Sequence, residues 1–154
     1  MDTKTLYSLA RNNTNQLFPE RICRLRDMVD ELCGAGKAEE LKELSQVVQE
    51  KWYMEPYVLT NTMGINGAAT VLYRGILRHI SDGFDGDCYV LPSSIHELLV
   101  LPAETGMAVE EELRRMVREV NETYVSKEDF LSNKVYRYDR KRDSIKICSS
   151  GENE

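Results

Sequence analysis

The side chains with the most chemical potential lie in LPSSIHELLVLP, residues 91–102, where Ser93, Ser94, His96 and Glu97 sit between two apolar runs that each end at a proline. Hydroxyl, imidazole and carboxylate are the parts of a nucleophile, its base and the group that orients the base. The spacing argues against that assembly. A serine nucleophile usually occupies a strained elbow flanked by glycines, as in G-x-S-x-G, and none flank this pair. His96 is only two residues from Ser94, and such near neighbours rarely aim both side chains at one reacting atom. A catalytic version would use Ser94 or Cys88 as nucleophile and His79 or His96 as base, in a small hydrolase or transferase. A structural version needs no substrate. Ser94 and Glu97 have the separation of a capping box, in which each side chain bonds the other's backbone N–H. One helical turn between two strands is therefore the expectation adopted.

Other motifs resolve the same way. The His96–Glu97 pair lacks a second histidine four residues on, so it is not the H-E-x-x-H zinc helix. The cysteines at 23, 33, 88 and 148 form no CxxC pair. Cys23 and Cys33, placed on one helix, would be roughly 15 Å apart, too far for a disulfide, so reduced structural thiols are expected. DGFDGD at 82–87 does not have EF-hand spacing and reads as a helix-to-strand turn. GAGKAEE at 34–40 lacks the full phosphate-loop pattern and follows a helix, not a strand. With no dinucleotide fingerprint either, no metal and no cofactor is expected.

The elements that would carry these residues begin with helices. Residues 3–11 read as a short helix closed by a polar turn, NNTNQ. Pro19 then suits the first turn of a second helix, with Ile22, Leu25, Met28, Val29 and Leu32 at helical spacing and Gly34 and Gly36 as the stop. A third helix is predicted over 37–51. From Pro56 the pattern changes: PYVLTN and GAATVLY read as a hairpin over 57–73 turning at MGING. RGILRHISDG predicts a helix with Ile76, Leu77 and Ile80 inward and Gly83 near its C-terminal cap. CYVLP and LLVLP are strands. LLVL is apolar at successive positions, so both of its faces must be covered, by helices or by a partner subunit. A long helix over 107–123 carries Val109, Leu113, Met116, Val117 and Val120 on one stripe, with glutamates early and arginines later, as the helix dipole favours. Ser126 and Asp129 then suggest a capping box opening a last short helix, SKEDFLS. VYRY and SIKIC close the chain as a hairpin.

These elements predict an α+β fold: N-terminal helices followed by a mainly antiparallel sheet with two or three packed helices. The 154 residues, 42% hydrophobic and 30% charged, suit one globular domain over 1–148. It divides into a helical segment at 1–53 and a sheet with helices at 54–148, leaving 149–154 as a disordered tail. No apolar run is long enough for a membrane span, and MDTKTLYSLA lacks the features of a signal peptide, so a cytoplasmic address is expected. The formal charge of −6 disfavours broad phosphate-backbone binding. RYDRKRDSIK, in the 135–147 hairpin, is basic but diluted by Asp139 and Asp143. Nucleic-acid contact there is the weaker alternative.

Several phrases, in order, carry a resemblance: LYSLARNNTNQLFPE, EPYVLTN, NGAATVLY, YVLPSSIHELLVLP, MVREVN and VYRYDR. Over roughly residues 5–140 the chain resembles the C-terminal half of an uncharacterised bacterial family, domain of unknown function family 5688, seen mainly in gut Clostridia. The resemblance implies longer relatives with a preceding region, so this chain is expected to be a truncated piece or a short relative. It transfers no catalytic residue. It does imply a signature comprising Tyr57, Thr60, Asn61, Ser93, Ser94, His96 and Glu97. The resulting expectation is a non-enzymatic cytoplasmic binding or protein-interaction module, self-associating through a sheet face or the N-terminal helices. Its expected partner is a protein or a second copy of itself and not a membrane; nucleic acid is disfavoured, and whether it takes a small molecule is left open.

Overall fold

Strand β4 (Leu98–Pro102) shows how the chain is organised, because Leu98, Leu99, Val100 and Leu101 are all buried. Side chains alternate across a strand. Leu99 and Leu101 accordingly join one apolar cluster, with Leu25 and Met28 from helix α2 (Leu25–Leu32) and Leu113, Met116 and Val117 from the long C-terminal helix. Leu98 and Val100 join the other, with Ile76, Leu77 and Ile80 from helix α3 (Ile76–Phe84) and Ala68 from a 3₁₀ helix at Gly67–Leu72. Helices cover both faces of β4.

The computed structural model describes residues 1–32, 56–92, 94–103 and 107–148. Its strands are β1 (Glu20–Arg24), β2 (Tyr57–Asn61), β3 (Cys88–Leu91), β4, β5 (Tyr136–Asp139) and β6 (Ser144–Ile147), ordered β1-β2-β4-β3-β5-β6 with every pairing antiparallel. Helix α1 (Thr3–Leu17) precedes them, and α4 (Met107–Tyr124) links β4 to the final hairpin. The α+β architecture, the β3–β4 pair, α3, the α4 stripe and the β5–β6 hairpin all agree with the sequence reading.

Four expectations are corrected. Residues 20–24 form a strand, not helix, so β1 lies inside the stretch expected to be helical. Pro19 precedes that strand, and its carbonyl accepts the Thr62 N–H at 3.0 Å. Helix α1 runs through NNTNQ to Leu17: Asp2 caps its start by accepting from Thr5 N–H at 2.7 Å, and the Phe18 N–H closes on Thr14. GAATVL is a 3₁₀ helix, not the second arm of a hairpin. Strand β2 already has β1 and β4 on its two edges, so no edge is left for a third strand. SKEDFLS makes a single turn, with the Ser126 carbonyl accepting from Asp129 and Phe130. Cys23 thus sits on β1. Cys33, GAGKAEE, the third helix at 37–51 and the tail at 149–154 lie outside the described residues.

At the far edge of the sheet the basic hairpin tip meets the acidic DGFDGD turn. Arg140 pairs with Asp82 and Asp85, each at 2.9 Å, while Asp87 accepts from Arg137 at 3.1 Å and from the Arg140 N–H at 3.0 Å. Arg137 and Arg140, two of the five basic residues in RYDRKRDSIK, are thus engaged by carboxylates. The Arg140 N–H, then Arg137, hold the Asp87 carboxyl below its ordinary 3.8. A depressed folded-state value adds stability that is complete above the unfolded pKa and lost as pH falls through the folded one. Asp87→Asn should therefore lower stability at pH 6 and flatten the decline between pH 6 and pH 3, measured by urea unfolding across that window. An acid branch as steep as wild type would remove Asp87 as its source.

Candidate functional site

The β2 strand carries Thr60 and Asn61 to its C-terminal end, both buried, beside the loop that returns from β3 to β4. Thr60 Oγ1 donates to the His96 carbonyl at 2.7 Å. Asn61 folds the following loop on itself, donating to the Ile65 carbonyl at 2.8 Å and accepting from the Met63 N–H at 3.0 Å. Asn66 adopts a left-handed conformation at φ 54°, which asparagine tolerates better than most residues. Its N–H reaches His96 Nδ1 at 3.1 Å.

The SSIHE segment is not the expected helical turn. Ser94 makes an antiparallel bridge to Phe130, and its Oγ accepts the His96 N–H at 3.1 Å, two residues on. Ile95 donates to the Asp129 carbonyl at 2.8 Å and accepts from Ala68 at 3.1 Å. The loop is thereby tied to both the 3₁₀ helix and the 126–129 turn. His96 Nε2 stands 3.0 Å from Asp129 Oδ1. Because Nδ1 accepts from an N–H, the ring proton belongs on Nε2 and is donated to Asp129.

These segments enclose a cleft of about 400 Å³, within the size range of small-molecule sites. Thr60, Asn61, Ser94, His96 and Glu97 line it, joined by Arg21 from β1 and Asp129. Met28, Ile65 and Val125 supply apolar wall. Five of the signature residues therefore meet at one place. Tyr57 does not: at the opposite end of β2 it packs edge-on against Phe84, with ring centroids 5.3 Å apart, and shares a separate hollow with His79. Ser93 lies outside the described residues.

The catalytic pairings fare differently. Cys88 is fully buried, and burial, with the charge of Asp87, pushes its thiol up to about 12, the reverse of what a nucleophilic thiol requires. His79 is exposed on α3 in the hollow shared with Tyr57, not in the cleft with Ser94. Ser94 and His96 do share the cleft, yet the imidazole bonds Asn66 and Asp129 while Ser94 Oγ takes a backbone N–H. Asp129 and Arg21 were missed by sequence reasoning. The Ser126/Asp129 spacing marked a turn, and nothing pointed from it to His96.

A family described as of unknown function (DUF5688) matches residues 1–140. The chain belongs to DUF5688. No curated protein and no solved structure matches it. In this DUF5688 chain no helix among the described residues is long and apolar enough to cross a membrane. No cluster of three or more His, Cys, Asp or Glu suited to holding a metal occurs among those residues.

Proposed function

We propose that this DUF5688 chain is a non-enzymatic, cytoplasmic binding module, folded as one domain over 1–148, that takes a small zwitterionic molecule into the cleft between β1, β2 and the β3–β4 loop. The observation that carries the reading is the lining. A guanidinium (Arg21) and two carboxylates (Glu97 and Asp129) share a cavity with apolar wall, which suits a ligand bearing an acid and an amine on a short carbon frame. The bonding of Thr60, Asn61, Ser94 and His96 supports a holding role over a catalytic one. These groups fix the backbone of the walls, and the imidazole is spent on positioning.

Free amino acids at millimolar concentration are the probes. Titration should move backbone amide resonances at Thr60, Ser94–Glu97 and Asp129, leave those at Arg137–Lys146 in place, and lose its effect in Arg21→Gln. Arg21 is a partly exposed residue of the edge strand β1, in neither apolar cluster, and its side-chain partner is Glu31, so that variant keeps the core intact. Cleft resonances that stay still for every probe, or that move equally in Arg21→Gln, would reject the reading.

A further inference from the structure

Helix α1 is amphipathic but buries none of its side chains. Leu6, Leu9, Ala10 and Leu17 fall at i, i+3, i+4 and i+11, within an arc of about 100°. With Tyr7 and Phe18, its large apolar residues are 40–70% exposed. Polar bonds hold the helix to the body: Arg11 donates to the Leu72 carbonyl at 2.8 Å, and the Tyr73 hydroxyl to the Phe18 carbonyl at 2.7 Å. The same 3₁₀ helix, through Ala68 and Val71, borders a groove of about 370 Å³. Val71, Pro92, Leu131, Tyr136 and Ile145 supply most of its apolar wall. Ile145 and Ile147 pair with Tyr138 and Tyr136, so they share the sheet face that α3 and the 3₁₀ helix cover elsewhere, yet they remain about half exposed.

We infer that a second copy of this chain covers both features, α1 of each copy lying in the 3₁₀–β6 groove of the other. The area fits that occupant. A bare aromatic side chain presents roughly 200 Å², a leucine or isoleucine somewhat less. At about half exposure, the apolar residues of α1 together with Leu72, Leu131, Ile145 and Ile147 present on the order of 900 Å², against the ~800 Å² per partner of a standard stable interface. Helix and groove are of opposite shape, and both flank residues 71–72, so one two-fold operation can bury them together. Each copy carries −6. Association by apolar burial between like-charged copies should tighten with added salt, whereas a charge-driven interface would loosen.

Sedimentation equilibrium tests the arrangement. Wild type should dimerise, and Leu9→Asp/Leu17→Asp and Ile145→Asp should each weaken the dimer on the order of 100-fold, with unchanged circular dichroism. An equimolar mixture of the two variants should recover dimer mass, because one intact helix–groove contact survives in the mixed pair. Wild type monomeric at every concentration overturns the second copy as occupant. Variants that are monomeric alone and do not rescue each other overturn the seating of α1 in the groove. Loosening of the wild-type dimer by salt overturns its apolar basis.

Discussion

Gly67→Ala should destabilise the fold by about 3 kcal/mol or more, at or beyond the upper end of ordinary overpacking, lowering Tm by roughly 6–12 °C for a chain of this size. The reason is space. A Cβ at Gly67 would stand 2.0 Å from Thr60 Oγ1, 2.5 Å from the His96 carbonyl oxygen and 2.8 Å from the Asn61 nitrogen. The hydroxyl could swing aside, at the loss of its bond to His96. The other two atoms are backbone of β2 and of the cleft loop and cannot move without parting the cleft walls. Two comparisons isolate the cause. Thr60→Ala relieves only the nearest of the three contacts, so in the Gly67→Ala background it should restore less than about 1 kcal/mol. Gly64→Ala, at φ 67° with nothing within 4 Å, should cost only the ~1–2 kcal/mol of a left-handed non-glycine residue. Thermal and urea unfolding of the set decides the point. Full rescue by Thr60→Ala would show that the backbone approach is not what demands glycine.

LLVL announced a two-sided strand because an unbroken apolar run leaves no face for water. The α4 stripe was equally plain, its 3.6-residue period extending over several turns. Residues 20–32 were ambiguous. Ile22, Leu25 and Met28 recur at helical spacing, yet Ile22 packs toward one cluster from an edge strand while Leu25 and Met28 reach the other from the helix that follows. GAATVL read as a strand from its composition. Whether it could pair depended on β2 having a free edge, and both edges were taken by strands distant in sequence. The cleft was half legible. Thr60, Asn61, Ser94, His96 and Glu97 stood out, but the bond that fixes His96 comes from Asp129, 33 residues away, and no local spacing encodes such a contact. Ser94 and Glu97 matched a capping box in separation only. The bridge to Phe130 and the tie to Ala68 hold the loop in extended and bent backbone instead of a helical turn.

Leu98→Ala and Leu99→Ala should both cost at least 2 kcal/mol, within the ~2–5 kcal/mol of buried leucine truncations. That successive residues both matter is the point. In a strand wet on one side, one of the pair would fall within about 0.5 kcal/mol of zero, as surface substitutions do. Leu99 faces α2 and α4 deep in its cluster, so its cavity has little freedom to collapse and its cost should lie near 4 kcal/mol. Leu98 faces α3 and the 3₁₀ helix and borders the open groove beside β6. Side chains there can relax into the space left, so its cost should lie nearer 2 kcal/mol. In urea unfolding the midpoint should fall in both variants while the slope holds, since neither change alters the surface exposed on unfolding. If the groove is filled by a second copy, the Leu98 penalty should grow with protein concentration, because that substitution then also loosens the association linked to folding. The Leu99 penalty, on the face turned away from the groove, should not. Equal and concentration-independent costs would leave the helices on both faces of β4 as the sole cover of the sheet.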